Sequence, residues 1–421
     1  MSRFQTVAVI VAGLLCALDG FDVLAITYAA PALRGEWGIS NAQMGYALSA
    51  GLLGMALGSL LLSPLADAFG RRRMLFVALV LMVAGTFWTA LAGGIPSLIA
   101  SRVMTGLGIG AMVGVISPLA AEYANARRRD LAVSLAMTSF GFGAFAGGLI
   151  SAWLLAWLGW RSIFFLAGGL GLVMILVVRY FLLDPLALIV ARPGKDGVAR
   201  ANEYLRRCGH PAIASLPPPP IVPKVPFASL FKPPTIRDTM TLTAIYFFYM
   251  VPLFYLQTWL PTLVVDIGLQ PAHAAAVSAF QSIGGVCAGI FVATTSLRIG
   301  LKRLELMLLG GAAVMIVIFA MLPGNLPLLT IGATLAGFFV GGAQVGLWAI
   351  IARTFPAHLR ASGTGFVIGI GRLGSILPPI LAGILFTAGY GRINVSLLMA
   401  VPALLSLTLL LTFRVRPPTI A

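Results

Sequence analysis

Long apolar stretches follow one another along almost the whole chain, broken by short polar segments. Scoring for apolar runs of about 20 residues, the length a helix needs to cross a bilayer, predicts twelve spans at 7–32, 43–65, 75–94, 97–122, 131–156, 162–183, 239–262, 273–296, 304–322, 327–352, 361–387 and 391–413. The longest interruption runs from Asp184 to Arg237 and divides the spans six and six. Near its start lies the basic and potentially helical "VARANEYLRRCGH", near its end "LPPPPIVPKVP", whose proline content reads as a semi-rigid connector. The expectation is an all-α membrane protein with twelve transmembrane helices in two six-helix pseudo-symmetric bundles. Residues 1–183 form the first bundle, 184–237 a cytoplasmic linker and 238–421 the second.

Composition agrees. Of the 421 residues, 59% are hydrophobic and 10% charged, against roughly 25% charged in soluble domains. The net charge of +16 raises the question of nucleic-acid binding, and the placement of the basic residues answers it. With the N-terminus inside, 23 of the 28 Lys and Arg residues fall on one side of the predicted membrane. That asymmetry is the positive-inside pattern, so both termini are expected in the cytoplasm and no nucleic-acid partner is indicated. A cleaved signal peptide is the competing reading of the first span. Asp19 and Asp22 would interrupt its apolar core and the run is too long, so the span is retained. With no evident targeting extension, a bacterial inner membrane fits best. Cys16 and Cys287 sit in spans and Cys208 in a loop, so no extracellular disulfide is implied.

The two halves resemble each other weakly. "EYANARRRDLAVS" after span 4 aligns with "TFPAHLRASGTGF" after span 10, matching Tyr123 to Phe355 and Arg128 to Arg360. "PLADAFGRRRML" after span 2 aligns with "TTSLRIGLKRLEL" after span 8, matching Gly70 to Gly300 and Arg73 to Arg303. Two parallel six-span repeats would enclose a site near the midplane, which is transporter architecture.

In "SPLADAFGRRR", Asp67 and Arg71 to Arg73 flank a tight turn at Gly70, a geometry suited to charge-assisted bonds that clamp neighbouring helix ends and break when those helices move. Asp67, Gly70, Arg71 and Arg73, with Glu122 at the end of span 4 and Arg128 beyond it, are the candidate conformational gate. Together with "SRVMTGLGIGA" in span 4, this loop resembles the major facilitator superfamily over essentially the whole chain. "LDGFD" in span 1, "TWLPTLVVDIG" closing span 7 and "SGTGFVIGIGRLGSILPPILAG" in span 11 look like the aromatic acid/proton symporter family within it. Two departures stand out: Ser63 replaces the usual first glycine of the loop motif, and Leu297 stands where its second copy usually carries an acidic residue. The related drug antiporters show a Gly-Pro pair in span 5, where this chain has Ala144 in "SFGFGAFAGG".

Enzyme signatures are missing: no phosphate loop, no "HExxH", no "GxSxG", and His210, His273 and His358 are too scattered for a metal site. "GIGRLG" matches a dinucleotide pattern but lies inside an apolar helix with no preceding strand. No enzyme activity and no cofactor is expected, so active transport must draw on an ion gradient.

The ionisable residues noted within the spans are Asp19, Asp22, Arg102 and Arg372. Intramembrane charges usually face the bundle interior and pair with one another, and residues three apart share a helix face. A purely structural salt bridge is one reading. In the other, at least one of two mutually repelling carboxylates in a poorly hydrated cavity holds a proton near neutral pH. An arginine opposes this until an anionic substrate occupies it, and proton and anion then bind together. Asp19, Asp22 and Arg102 are accordingly the expected proton-coupling residues. Arg372, near mid-membrane with Gly371 and Gly374 leaving room beside it, is the expected substrate ligand. Gln281, Gln344 and Tyr255 are further ligand candidates. Among the span 7 aromatics Tyr246, Tyr249, Phe254, Tyr255 and Trp259, which can stack on a planar ligand, most are expected to face lipid or the interface. The resulting expectation is a monomeric, proton-coupled carrier of a small organic anion, working in the lipid bilayer by alternating access. A proton-coupled drug or metabolite antiporter and a non-transporting membrane sensor are the alternatives.

Overall fold

A computed structural model describes residues 1–191, 196–217, 227–233, 235–356 and 359–413. The side chains of residues 67, 68, 126, 130, 187, 191, 227, 360 and 361 are also outside the description. Arg192, Lys195, Lys224, His358, Arg414, Arg416, the side chains of Asp67 and Arg360, and most of "LPPPPIVPKVP" therefore lie outside the described residues.

Among the described residues, twelve helices are long and apolar enough to cross a membrane: α1 (Arg3–Trp37), α2 (Asn41–Leu62), α3 (Arg71–Ala90), α4 (Ile95–Tyr123), α5 (Leu131–Trp157), α6 (Arg161–Phe181), α7 (Thr235–Val265), α8 (Pro271–Ile299), α9 (Leu301–Met321), α10 (Leu326–Thr354), α11 (Ser362–Thr387) and α12 (Arg392–Thr412). Each predicted span has its helix. Several helices overrun the apolar runs at their ends, because hydropathy marks only the lipid-facing length while backbone hydrogen bonding continues to the caps. Ser2 with Gln5 and Ser40 with Gln43 close reciprocal capping boxes at the starts of α1 and α2, a Ser-x-x-Gln signal legible in the sequence. The basic segment of the linker is also helical (Gly197–Cys208), and Tyr204 docks it onto Phe4 and Tyr123 at ring distances of 5.7 and 6.0 Å.

Close helix packing rests on small residues. Gly106 and Gly110 bring α4 against the α2 backbone at Gly51 and Met55, while Gly108 lies on Ala78 and Met82 of α3. The halves repeat in detail: the turn glycines Gly70 and Gly300 share the same left-handed geometry, φ 101° and ψ 136° in one and φ 88° and ψ 134° in the other, which only glycine adopts readily.

The bundles meet through α2 with α11, α5 with α8 and α1 with α7. At the end away from the chain termini the contact is close. Gly45 lies against the Pro379 carbonyl, Gly383 against the Asn41 carbonyl, and the Ala42 amide donates to the Thr387 hydroxyl at 2.9 Å. Arg34 of α1 pairs with Asp266 after α7 at 2.5 Å. Toward the termini end, Gly365 and Gly369 of α11 have nothing within 4 Å of a built Cβ. These close contacts between the bundles thus lie at the end away from the termini.

Candidate functional site

The two aspartates of α1 take different surroundings although both are buried. Asp19 lines the central cavity, with its Oδ1 lacking any hydrogen-bond partner. Asp22 lies one turn further on and points into the first bundle. There the Thr86 hydroxyl of α3 donates to its Oδ1 at 2.9 Å, and Arg102 of α4 stands with Nη1 3.9 Å from its Oδ2. Arg102 also donates through Nη2 to the Asp22 carbonyl at 3.3 Å. Gly51 of α2 packs beside the guanidinium, where a Cβ would sit in ordinary contact 3.7 Å from Nε.

Arg372 owes its position to a break in α11. Regular helix runs from Arg360 to Gly371, a 3-10 turn covers Arg372–Ser375, and helix resumes at Leu377–Thr387. Pro378 and Pro379 cause the change, because each removes an amide donor and its ring crowds the carbonyl four residues back. The Ile376 carbonyl also accepts from the Ser49 hydroxyl of the other bundle, at 2.8 Å. The guanidinium of Arg372 faces the cavity and has no hydrogen-bond or ion-pair partner among the described residues. It is within electrostatic reach of Asp19. The expected room beside Gly371 and Gly374 is taken: they pack on Tyr246 and Phe247 of α7. The open glycines are Gly365 and Gly369.

The cavity measures about 280 Å³, near the lower end of the roughly 300–1,000 Å³ of small-molecule sites. Gln281 of α8 and Gln344 of α10 line it as expected, joined by Gln257 of α7, which sequence reasoning passed over. Its aromatic walls are Phe140, Phe254 and Trp348. Only Phe254 was among the span 7 candidates. Tyr255 lies elsewhere, its hydroxyl 2.7 Å from the Ser396 hydroxyl of α12. Tyr246, Tyr249 and Trp259 are fully buried within the second bundle rather than facing lipid. Hydropathy cannot tell these settings apart, because lipid and protein interior are equally apolar.

In the gate loop, Arg71 meets Glu122 at 2.6 Å, joining the start of α3 to the end of α4. Gly70 makes the turn. Arg73 and Arg128 are exposed. Asp184 joins this cluster unforeseen: it accepts from the Arg72 amide at 3.2 Å and pairs with Arg200 of the linker helix at 2.5 Å. Its place at the end of a predicted span, among arginines, was the available signal. Leu297, in the altered second copy, is 84% exposed.

Among the described residues, twelve apolar helices surround a mostly apolar cavity into which an arginine and a carboxyl face, an architecture that suits a membrane carrier. The Major Facilitator Superfamily profile matches residues 11–325 and 266–421. A 4-hydroxybenzoate transporter of Acinetobacter baylyi is 30% identical over 96% of this chain and 90% of its own length. A gallate transporter of Pseudomonas putida is 31% identical over the same shares. The E. coli xylose transporter, solved in a partially occluded inward-open conformation, matches with a TM-score of 0.75 at 17% identity, covering 100% of this chain and 99% of that one. The chain belongs to the Major Facilitator Superfamily and, within it, to the aromatic acid/proton symporter family. It is a multi-pass membrane transporter and not an enzyme.

Proposed function

We propose that the protein takes up a small aromatic carboxylate together with one or more protons, by alternating access across a bacterial inner membrane. The observation that carries this reading is Arg372, a guanidinium with no hydrogen-bond or ion-pair partner among the described residues, facing the same cavity as Asp19. An unpaired cation in such surroundings is costly, and a carboxylate can pair with it bidentately. Phe140, Phe254 and Trp348 offer aromatic faces, and Gln257, Gln281 and Gln344 offer hydrogen bonds to ring hydroxyls of the kind that 4-hydroxybenzoate and gallate carry. Neutralising Arg372 with the anion removes a charge that opposes protonation of Asp19, so the proton follows the anion. Asp22 and Arg102, behind the cavity wall, transmit the change within the first bundle. Residues 1–183 and 238–421 are the moving bundles and 184–237 links them. Arg71, Glu122 and Asp67, with the Gly70 turn, Arg73 and Arg128, serve as the gate. With the termini in the cytoplasm, the closely packed end faces outward.

Proteoliposome uptake of radiolabelled 4-hydroxybenzoate under an imposed pH gradient tests the reading. Wild type should accumulate it. Arg372→Lys, which lacks the planar fork, should lower affinity about ten- to hundredfold, the equivalent of roughly 1.5–3 kcal/mol for a hydrogen bond to a charged group. Arg372→Ala should abolish binding. Unchanged calorimetric affinity in a monodisperse Arg372→Ala protein would overturn the assignment.

A further inference from the structure

Glu305 is a carboxyl that the cavity mechanism leaves unused. It lies in the first turns of α9, fully buried, and neither carboxyl oxygen has a hydrogen-bond partner. Its Oε2 occupies the space that a side chain at Gly346 of α10 would take, so the two helices are fitted to each other around it. Of the elements packed on α9, α7 presents Tyr249, within electrostatic reach of Glu305. The titratable groups of α10, α8 and α12 (Arg353, Arg298, His273, Cys287 and Arg392) make no hydrogen bond or ion pair with it. An isolated carboxylate in such a setting is strongly disfavoured, so in this conformation the group is held as the neutral acid.

Two features argue against an inert, permanently held proton. Glu305 lies only four residues beyond Leu301, the start of α9, or about 6 Å by helix rise. The positive end of the helix would favour a negative charge there once water reaches it. A row of side-chain contacts, not a continuous hydrogen-bonded path, also leads from the cavity toward it. Trp348, in the cavity wall, donates its indole N–H to the Tyr246 hydroxyl at 3.1 Å. The Tyr246 ring centroid lies 6.2 Å from that of Tyr249, whose hydroxyl donates to the Val340 carbonyl at 2.6 Å. Asp19, Asp22 and Arg102 have no part in this chain of contacts; it belongs to the second bundle.

The geometry points to Glu305 as a second proton-binding site of the carrier. It releases its proton when α9 and α10 shift, and it is tied to cavity occupancy through Tyr249, Tyr246 and Trp348. This rests on the carrier reading, but the protonation itself can be tested without a substrate.

The full-length protein in liposomes is followed by infrared difference spectroscopy through pH steps. A protonated-carboxyl stretch that is lost in Glu305→Gln, displaced in Glu305→Asp and exchanged for carboxylate absorption as pH rises is expected. With 4-hydroxybenzoate as the probe, the ratio of charge to solute from reversal potentials should fall by one elementary charge in Glu305→Gln. Tyr249→Phe should blunt the response of the band to the probe while sparing its response to pH. A Glu305 band that stays in the acid form at every pH, with and without probe, marks a structural proton and overturns the proposal, as does an unchanged ratio in a folded Glu305→Gln protein. If Glu305→Gln does not fold, the displaced band of Glu305→Asp decides. A band that titrates in a protein that moves no 4-hydroxybenzoate sinks the substrate reading and leaves the proton site standing.

Discussion

Arg102 and Asp22 form a buried pair in which the guanidinium holds both the side chain and the main chain of its partner: Nη1 lies 3.9 Å from the carboxylate Oδ2, and Nη2 donates to the Asp22 carbonyl at 3.3 Å. Thr86 holds the other carboxylate oxygen at 2.9 Å. Asp19, one turn earlier, has no such partners and looks into the cavity. The sequence offers two similar carboxylates, while the fold gives one a fixed partner and leaves the other facing the cavity.

The two positions should therefore respond differently to substitution. Asp19→Asn should abolish accumulation driven by a pH gradient while downhill exchange survives. Asp22→Ala should also destabilise the protein, because removing one partner of a buried pair costs about 3–5 kcal/mol, and the melting temperature reads this. Gradient-driven accumulation at wild-type level in Asp19→Asn, Asp22→Asn and the double variant would show that the proton rides elsewhere.

The seal at the end away from the termini depends on glycine at the crossing of α2 and α11. Gly45→Val forces a side chain onto the Pro379 carbonyl, an overpacking of about 1–3 kcal/mol. Labelling of a Ser49→Cys reporter from that side, in a background lacking Cys16, Cys208 and Cys287, should rise about ten- to hundredfold. Asp266→Asn removes only a partly exposed ion pair, worth about 0.2–1 kcal/mol, and should raise labelling less than about fivefold. Equal effects would mean that the ion pair closes this end.

Topology is read by reporter fusions. Fusions after Arg237 and after Arg416 should report cytoplasm, and one at 323–325 the outside. A swapped result at any of the three removes the orientation assigned above.

Much of this molecule was legible because a bilayer forces helices to be long and apolar. The twelve spans, the bundle division and the Gly70–Gly300 equivalence all follow from that constraint and from turn geometry. Asp19 and Arg372 were legible for the same reason, since an ionisable group in lipid must face something polar. Side-chain direction within uniformly apolar helices was not legible. Tyr255 and Gly371 turned out to be packing residues, and Gln257 and Trp348 turned out to line the cavity. Glu305 escaped notice because it sits at the start of its span, where an acidic residue reads as interfacial, and only the fit of α9 to Gly346 buries it.

The seal between α2 and α11 is built largely from main chain: the carbonyls of Pro379, Asn41 and Ile376 meet two glycines and one serine hydroxyl. Closure of that kind is blind to cargo. On the proposed function, replacing Phe140, Gln257 or Trp348 would change which ring fits without touching the surfaces that shut, so in this scaffold diet and door could evolve separately.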